Sequence, residues 1–205
     1  MIGFNFKFIG IILYFWVQHL SLQAQSVLQT GTVRFSFTNL ATKDTGSQII
    51  CFKPGFGASV AIKDKSSPGF RSIYEFATDS VYHFLVSNKF ISVPAMSIQQ
   101  QLAASHTKYS YKVTIGNEKK KILGYECFSF VAEASSGKDN TVIRGWATKQ
   151  IQTPMGIIMD PDLLSVGFIL EFTISDKNAS TKKFFAFSAV RLAPEVDERI
   201  FKYQK

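Results

Sequence analysis

Cysteine is nearly absent. The 205-residue chain holds two, Cys51 and Cys127, too few for a disulfide-dense scaffold or a four-thiolate zinc site. Histidine is almost as scarce, with three copies, so a histidine-rich metal centre has little to be built from. Long polar tracts are missing, and with 46% hydrophobic and 19% charged residues the composition excludes intrinsic disorder. The glycines follow no collagen-like period. There is no G-x-S-x-G elbow, no phosphate-cradling glycine loop ending in Lys-Ser/Thr, and no H-E-x-x-H. His83, in an apolar run, and His106 read as satisfied structural residues. Asp160-Pro161-Asp162 reads as a solvated turn, since a metal loop needs more ligands than two acids around a proline. No metal, no cofactor and no catalytic set is expected, and the chain does not read as an enzyme.

Basic residues outnumber acidic ones, 23 to 15. Nucleic acid is nevertheless not expected as a partner, because no recognition module accompanies the charge. Lys119-Lys120-Lys121 after Gly116-Asn117 reads as a basic hairpin tip that discourages edge pairing. The first 24 residues have the form of a secretory signal. Lys7 precedes the apolar run Phe8–Val17, which then turns polar and ends in Leu22-Gln23-Ala24. That run is too short to cross a hydrocarbon core, which takes ~20 helical residues. The expectation is a signal peptide at 1–24 and a single β-rich domain at 25–205 with no transmembrane segment after cleavage.

Within that domain, alternation of period two dominates. Val33, Phe35 and Phe37 alternate with polar residues, as do Tyr111, Val113 and Ile115, and Phe168, Leu170 and Phe172. Runs at 81–86 and 183–191 are apolar on both faces, as strands covered on both sides are. Turn signals recur between them, which predicts antiparallel meanders. Ser97 with Gln100 resembles a capping box and predicts one short helix over 97–105. The 150–167 segment is apolar but broken by Pro154 and Pro161. It reads as an ordered loop or short helix capping the core, or as a lid over an apolar cavity.

Phenylalanine is the excess, 20 against 7 tyrosines and 2 tryptophans. Large rings suit the concave side of a strongly curved sheet. If that side is incompletely filled it would accept an acyl chain. The candidate lining is Phe128, Phe130, Trp146, Phe168 and Phe172, with Met155 and Met159 from the 150–167 segment. Cys51 and Cys127 both fall in strand-like runs. They are either a disulfide, which export permits, or two buried free thiols.

Three stretches carry a resemblance: Lys119-Lys120-Lys121-Ile122-Leu123-Gly124-Tyr125-Glu126-Cys127 followed by Phe130, then Gly145-Trp146-Ala147-Thr148-Lys149, then Gly167-Phe168-Ile169-Leu170-Glu171-Phe172. They resemble a family of exported bacterial domains of unknown function with K-x-I-L-G-Y-x-C and W-x-T-K motifs. Ala193 to Phe201 resembles that family's D-x-x-x-F ending, whereas Ile169 stands where the family often has proline. The family is itself similar to outer-membrane lipoprotein carriers of the LolA/LolB type. The resemblance implies a mainly β fold, a single strongly curved antiparallel sheet in the form of a half-open barrel, with one or two short helices. It also implies a periplasmic or secreted location in a Gram-negative envelope, and it carries over no catalytic residue. Two functions follow as expectations. One is binding of a lipid, lipoprotein acyl chain or other apolar ligand in the concave face. The other is a structural or protein-interaction module of the cell envelope with no ligand cavity.

Overall fold

A computed structural model describes residues 27–62, 69–85, 96–108, 110–134, 140–178 and 183–202. The export signal expected at 1–24 lies outside the described residues. The strands are β1 (Gly31–Asn39), β2 (Thr45–Lys53), β3 (Phe56–Ile62), β4 (Phe70–Glu75), β5 (Ser80–Leu85), β6 (Tyr111–Ile122), β7 (Tyr125–Ala134), β8 (Thr141–Thr148), β9 (Phe168–Asp176) and β10 (Lys183–Ala193). Among the described residues two short α-helices accompany them, α1 (Ile98–Lys108) and α2 (Pro161–Val166). The fold is thus mainly β, as expected.

All ten strands belong to one antiparallel sheet in the order β5-β4-β3-β2-β1-β10-β9-β8-β7-β6. It consists of two consecutive meanders, β1–β5 and β6–β10, sewn together where β1 pairs with β10. β5 and β6 form the two outer edges, so the sheet is half-open and not closed into a barrel. The chain passes from one edge to the other through α1. That helix starts with the expected capping box: the Ser97 and Gln100 side chains each accept the other's backbone N–H at 3.0 Å, and the helix runs to Lys108.

Alternation sorts each strand's side chains between two faces. The inner face carries Val33, Phe35, Ile50, Phe52 and Tyr74, covered by Ile98 and Leu102 of α1 and by Ile151 and Met155. Further along, Phe130, Ala132, Ile143 and Phe172 are covered by Leu163 and Val166 of α2. On the outer face, Cys51, Ala58, Ile73 and Phe84 lie under Val196, Ile200 and Phe201 from the C-terminal segment. This double cover explains why Val81 and Phe84, three residues apart in β5, are both buried. The rings interlock across the seam: Phe37 lies 5.4 Å from Phe187, and Phe187 lies 4.6 Å from Phe172.

The lysine run does not form the hairpin tip expected for it. Lys119, Lys120 and Lys121 lie within β6, paired with Phe128, Cys127 and Glu126. The turn is Leu123-Gly124, whose φ values of 51° and 89° suit the mirror-image two-residue turn that matches strand twist. Gly116-Asn117-Glu118 is instead an irregularity in the β6–β7 ladder, a common device for discouraging pairing at a sheet edge.

Candidate functional site

The seven residues expected to line a concave site do not converge on one cavity. Phe130 and Phe172 are buried in the cluster under α2, with Phe128 partly buried against it. Met155 and Phe168 belong to the cluster around Phe35 and Phe52, with Trp146 and Met159 packed beside it. Trp146 is placed apart by register. It pairs with Ser129 and Glu171, so it points away from Phe130 and Phe172, which both oppose its neighbour Gly145. Its ring lies under the Lys120 ammonium, 4.5 Å away, and Lys120 also bonds the Glu171 carboxylate at 2.7 Å. Met155 seals the inner face. A Cβ on Gly57 would come within 2.1 Å of its Cγ, so only glycine leaves room for the thioether there. The 150–167 segment therefore caps the core and fills the space that a larger inner pocket would occupy.

What stays open is a groove between the β6–β7 inner face and the end of α2. Val113, Ile115, Phe128, Lys149, Ser165 and Val166 line a cavity of about 440 Å³. A second cavity of about 210 Å³ shares Phe128 and Lys149 with it and adds Lys119, Glu126, Cys127 and Gln150. The floor is apolar, and Ile115 is 54% exposed on the edge strand. The Lys149 ammonium donates to the Ser165 carbonyl at 2.9 Å, which holds it over the junction of the two cavities. Lys119 and Lys149 outnumber Glu126, so the rim is net positive. The arrangement can take an apolar chain along its floor and an anionic end at its lysines.

Cys51 and Cys127 are both buried free thiols and are not brought together. They sit on β2 and β7 with β1, β10, β9 and β8 between them, and in separate clusters. Burial pushes both thiols up from their ordinary value, which disfavours the thiolate that nucleophilic chemistry needs.

Asp160 is not a solvated turn residue. It is fully buried and caps α2, accepting from the Asp162 and Leu163 amides and from the Ser105 hydroxyl of α1 at 3.3 Å. Burial is the main reason its carboxyl is pushed up. Asp162 accepts the Tyr111 amide at 2.8 Å and lies 3.3 Å from His106 Nδ1. Ligand atoms of His106, Asp160 and Asp162 fall within 4.8 Å of one another, but both carboxylates already serve the backbone. The set works as a latch joining α1, α2 and β6. The D-P-D spelling was the available signal: Asp before proline is a strong helix start.

His83 pairs in register with Ser72, its Nδ1 2.8 Å from the hydroxyl. Among the described residues no carboxylate is bonded to this imidazole in the way that would orient a base.

No family model matches the chain, and no curated protein sequence matches it. Solved structures do. The chain is similar to PNGF-II, with a TM-score of 0.56, 16% identity and 86% of this chain covered. It spans only 30% of that protein's length. It is also similar to an uncharacterized conserved protein from Thermus thermophilus, with a TM-score of 0.51, 10% identity, and 93% and 95% of the two chains covered. A DUF1329 family protein from Desulfovibrio piger aligns over 94% of this chain with a TM-score of 0.25, too distant to carry an argument. At such identities the likeness is one of fold, shared with an uncharacterized protein over nearly the whole length. Among the described residues no helix is long and apolar enough to cross a membrane.

Proposed function

We propose that this protein is an exported envelope protein that binds a single apolar chain with an anionic end, such as a fatty acid or an acyl chain, in the groove beside β6. The groove's geometry carries the reading: an apolar floor of Val113, Ile115, Phe128 and Val166 meets two ammonium groups at one end. Its volume of about 440 Å³ lies within the ~300–1,000 Å³ usual for small-molecule sites. The form of residues 1–24 and the resemblance to exported domains of the carrier type support the envelope location. The reading is of a binding protein and not an enzyme, supported by the two raised thiols and by a Ser72–His83 pair to which no carboxylate among the described residues is bonded.

The alternative, a protein-interaction module with a filled core, has one observation in its favour. The inner face is sealed by Met155 and the helices, and β6 is an open edge. Against strand addition stand the irregularity at 116–118 and the exposed Lys112, Lys119 and Lys121 along that edge, which are the features that block edge pairing.

The test is titration of the purified protein with a fluorescent long-chain fatty acid. Ile115→Glu changes an exposed residue and so preserves folding, and it is expected to weaken binding about tenfold, equivalent to ~1.4 kcal/mol. Lys119→Gln with Lys149→Gln should weaken the acid but leave a neutral alcohol of equal chain length unaffected. A wild-type protein that ignores the probe, or an Ile115→Glu variant that binds it normally, would overturn the reading.

A further inference from the structure

The outer face of the sheet carries an arrangement of charges away from the groove and independent of it. Arg34 of β1 and Arg191 of β10 are direct cross-strand partners. Like charges placed opposite one another destabilise a sheet, so such a pair is normally relieved by a nearby acid. Here neither guanidinium has an ion-pair partner among the described residues, although both are exposed.

The juxtaposition depends on a local irregularity. Ala189 pairs with Phe35 and Arg191 with Arg34, so Val190 is an extra residue looped out between them, and it is 52% exposed. Were Val190 held in register it would oppose Arg34, and Arg191 would oppose Val33 on the buried inner face. With Val190 looped out, the arginine is turned outward beside its like. Bulges are a recurrent means of re-aiming a side chain at a site.

The two arginines share a cavity of about 250 Å³ with Thr32, Ile49, Ala193 and Glu195. Ile49 is the next cross-strand neighbour of Arg34, and with Ala193 it provides the apolar part of the lining. The Thr32 hydroxyl is already committed, donating to the Glu195 carbonyl at 2.9 Å. Glu195 contributes the one carboxylate of the lining, so the site carries a net positive charge. One row along the same face, Ser36 pairs with both Ser47 and Ser188, which sets three hydroxyls beside the arginines.

We infer that Arg34 and Arg191 form a binding site for a phosphate-type oxyanion. Guanidinium groups meet such oxygens through paired N–H donors in a planar fork, and two of them side by side on one sheet face offer donors to different oxygens of one anion. The bound anion would also cancel the repulsion that the register builds in. The shared chemistry is the tetrahedral phosphate oxyanion, whether free or on a lipid headgroup.

The experiment uses the full chain, its Arg34→Gln and Arg191→Gln variants, and Lys121→Gln as a charge-matched change elsewhere. Each is titrated with inorganic phosphate, and separately with phosphatidylcholine vesicles with and without phosphatidylglycerol. Each arginine variant is expected to lose about tenfold in affinity, while Lys121→Gln retains it. Without phosphate at low salt, the arginine variants should melt at or above the wild-type temperature, because repulsion has been removed. Binding of phosphate alone identifies a soluble oxyanion, and binding of phosphatidylglycerol vesicles alone identifies a headgroup. Wild-type protein that binds neither overturns the inference. So do arginine variants that bind normally, or a Lys121→Gln variant that loses as much as they do.

Discussion

Burial pushes the His83 imidazole below its ordinary value of 6.5, and that one displacement makes stability depend on pH. The unfolded chain takes up a proton near 6.5, whereas the folded chain accepts it only at lower pH. This group's contribution is therefore fully present above pH 6.5 and is lost as the pH falls through that value toward the folded one. Thermal melts from about pH 7 to about pH 5 should show a falling midpoint. His83→Gln, which keeps an amide for the Ser72 hydroxyl, should flatten that slope; an unchanged slope would place its origin in other groups. The Asp197 carboxyl at the surface is displaced in the same direction, but for the opposite reason: its charged form is favoured. Hydrogen bonds from the Arg199 side chain hold its carboxyl down to about 2. Its pair with Arg199 persists down to acid pH, but it is exposed and contributes little to stability.

At the scale of elements, the 150–167 segment decides whether the inner face is hollow. Met155 is 1% exposed and its thioether occupies the notch left by Gly57. Met155→Ala is expected to cost about 2–5 kcal/mol in urea denaturation, whereas partly buried Met159 should cost less on the same change. If Met155 served a ligand and not the core, its removal would barely move the midpoint. The strands themselves were legible because rings at every second position, as in Phe35 and Phe37 or Phe168 and Phe172, leave one face to bury. The capping box of α1 was legible for the same local reason. Three things were not. The β6–β7 turn was hidden because Gly116-Asn117 is the stronger turn spelling, while Leu123-Gly124 is chosen by the pairing of Lys121 with Glu126. The side of Trp146 was hidden because only pairing with Glu171 shows which way an alternating strand faces. The groove was hidden because counting rings does not distinguish those that fill a core from the one, Phe128, that lies at its open end.

For the whole molecule, the decisive contact is the seam between the two meanders. Phe172 is 2% exposed and stacks on Phe187, which stacks on Phe37 of β1, so one column of rings spans β9, β10 and β1. Phe172→Ala is expected to cost about 3–5 kcal/mol, with a lower urea midpoint and an unchanged m-value if the molecule still unfolds as one unit. A biphasic transition would instead show that the meanders had come apart.

The seam also sets an order of events during synthesis. Of the ten strands of this sheet β1 emerges first, yet its partner on one side, β10, emerges last. One side of β1 must therefore wait with bare amides and carbonyls until the tenth strand emerges. The nascent chain is most exposed to sticking to its neighbours in that interval, and a helper that shields this early strand would act by occupying the place reserved for β10.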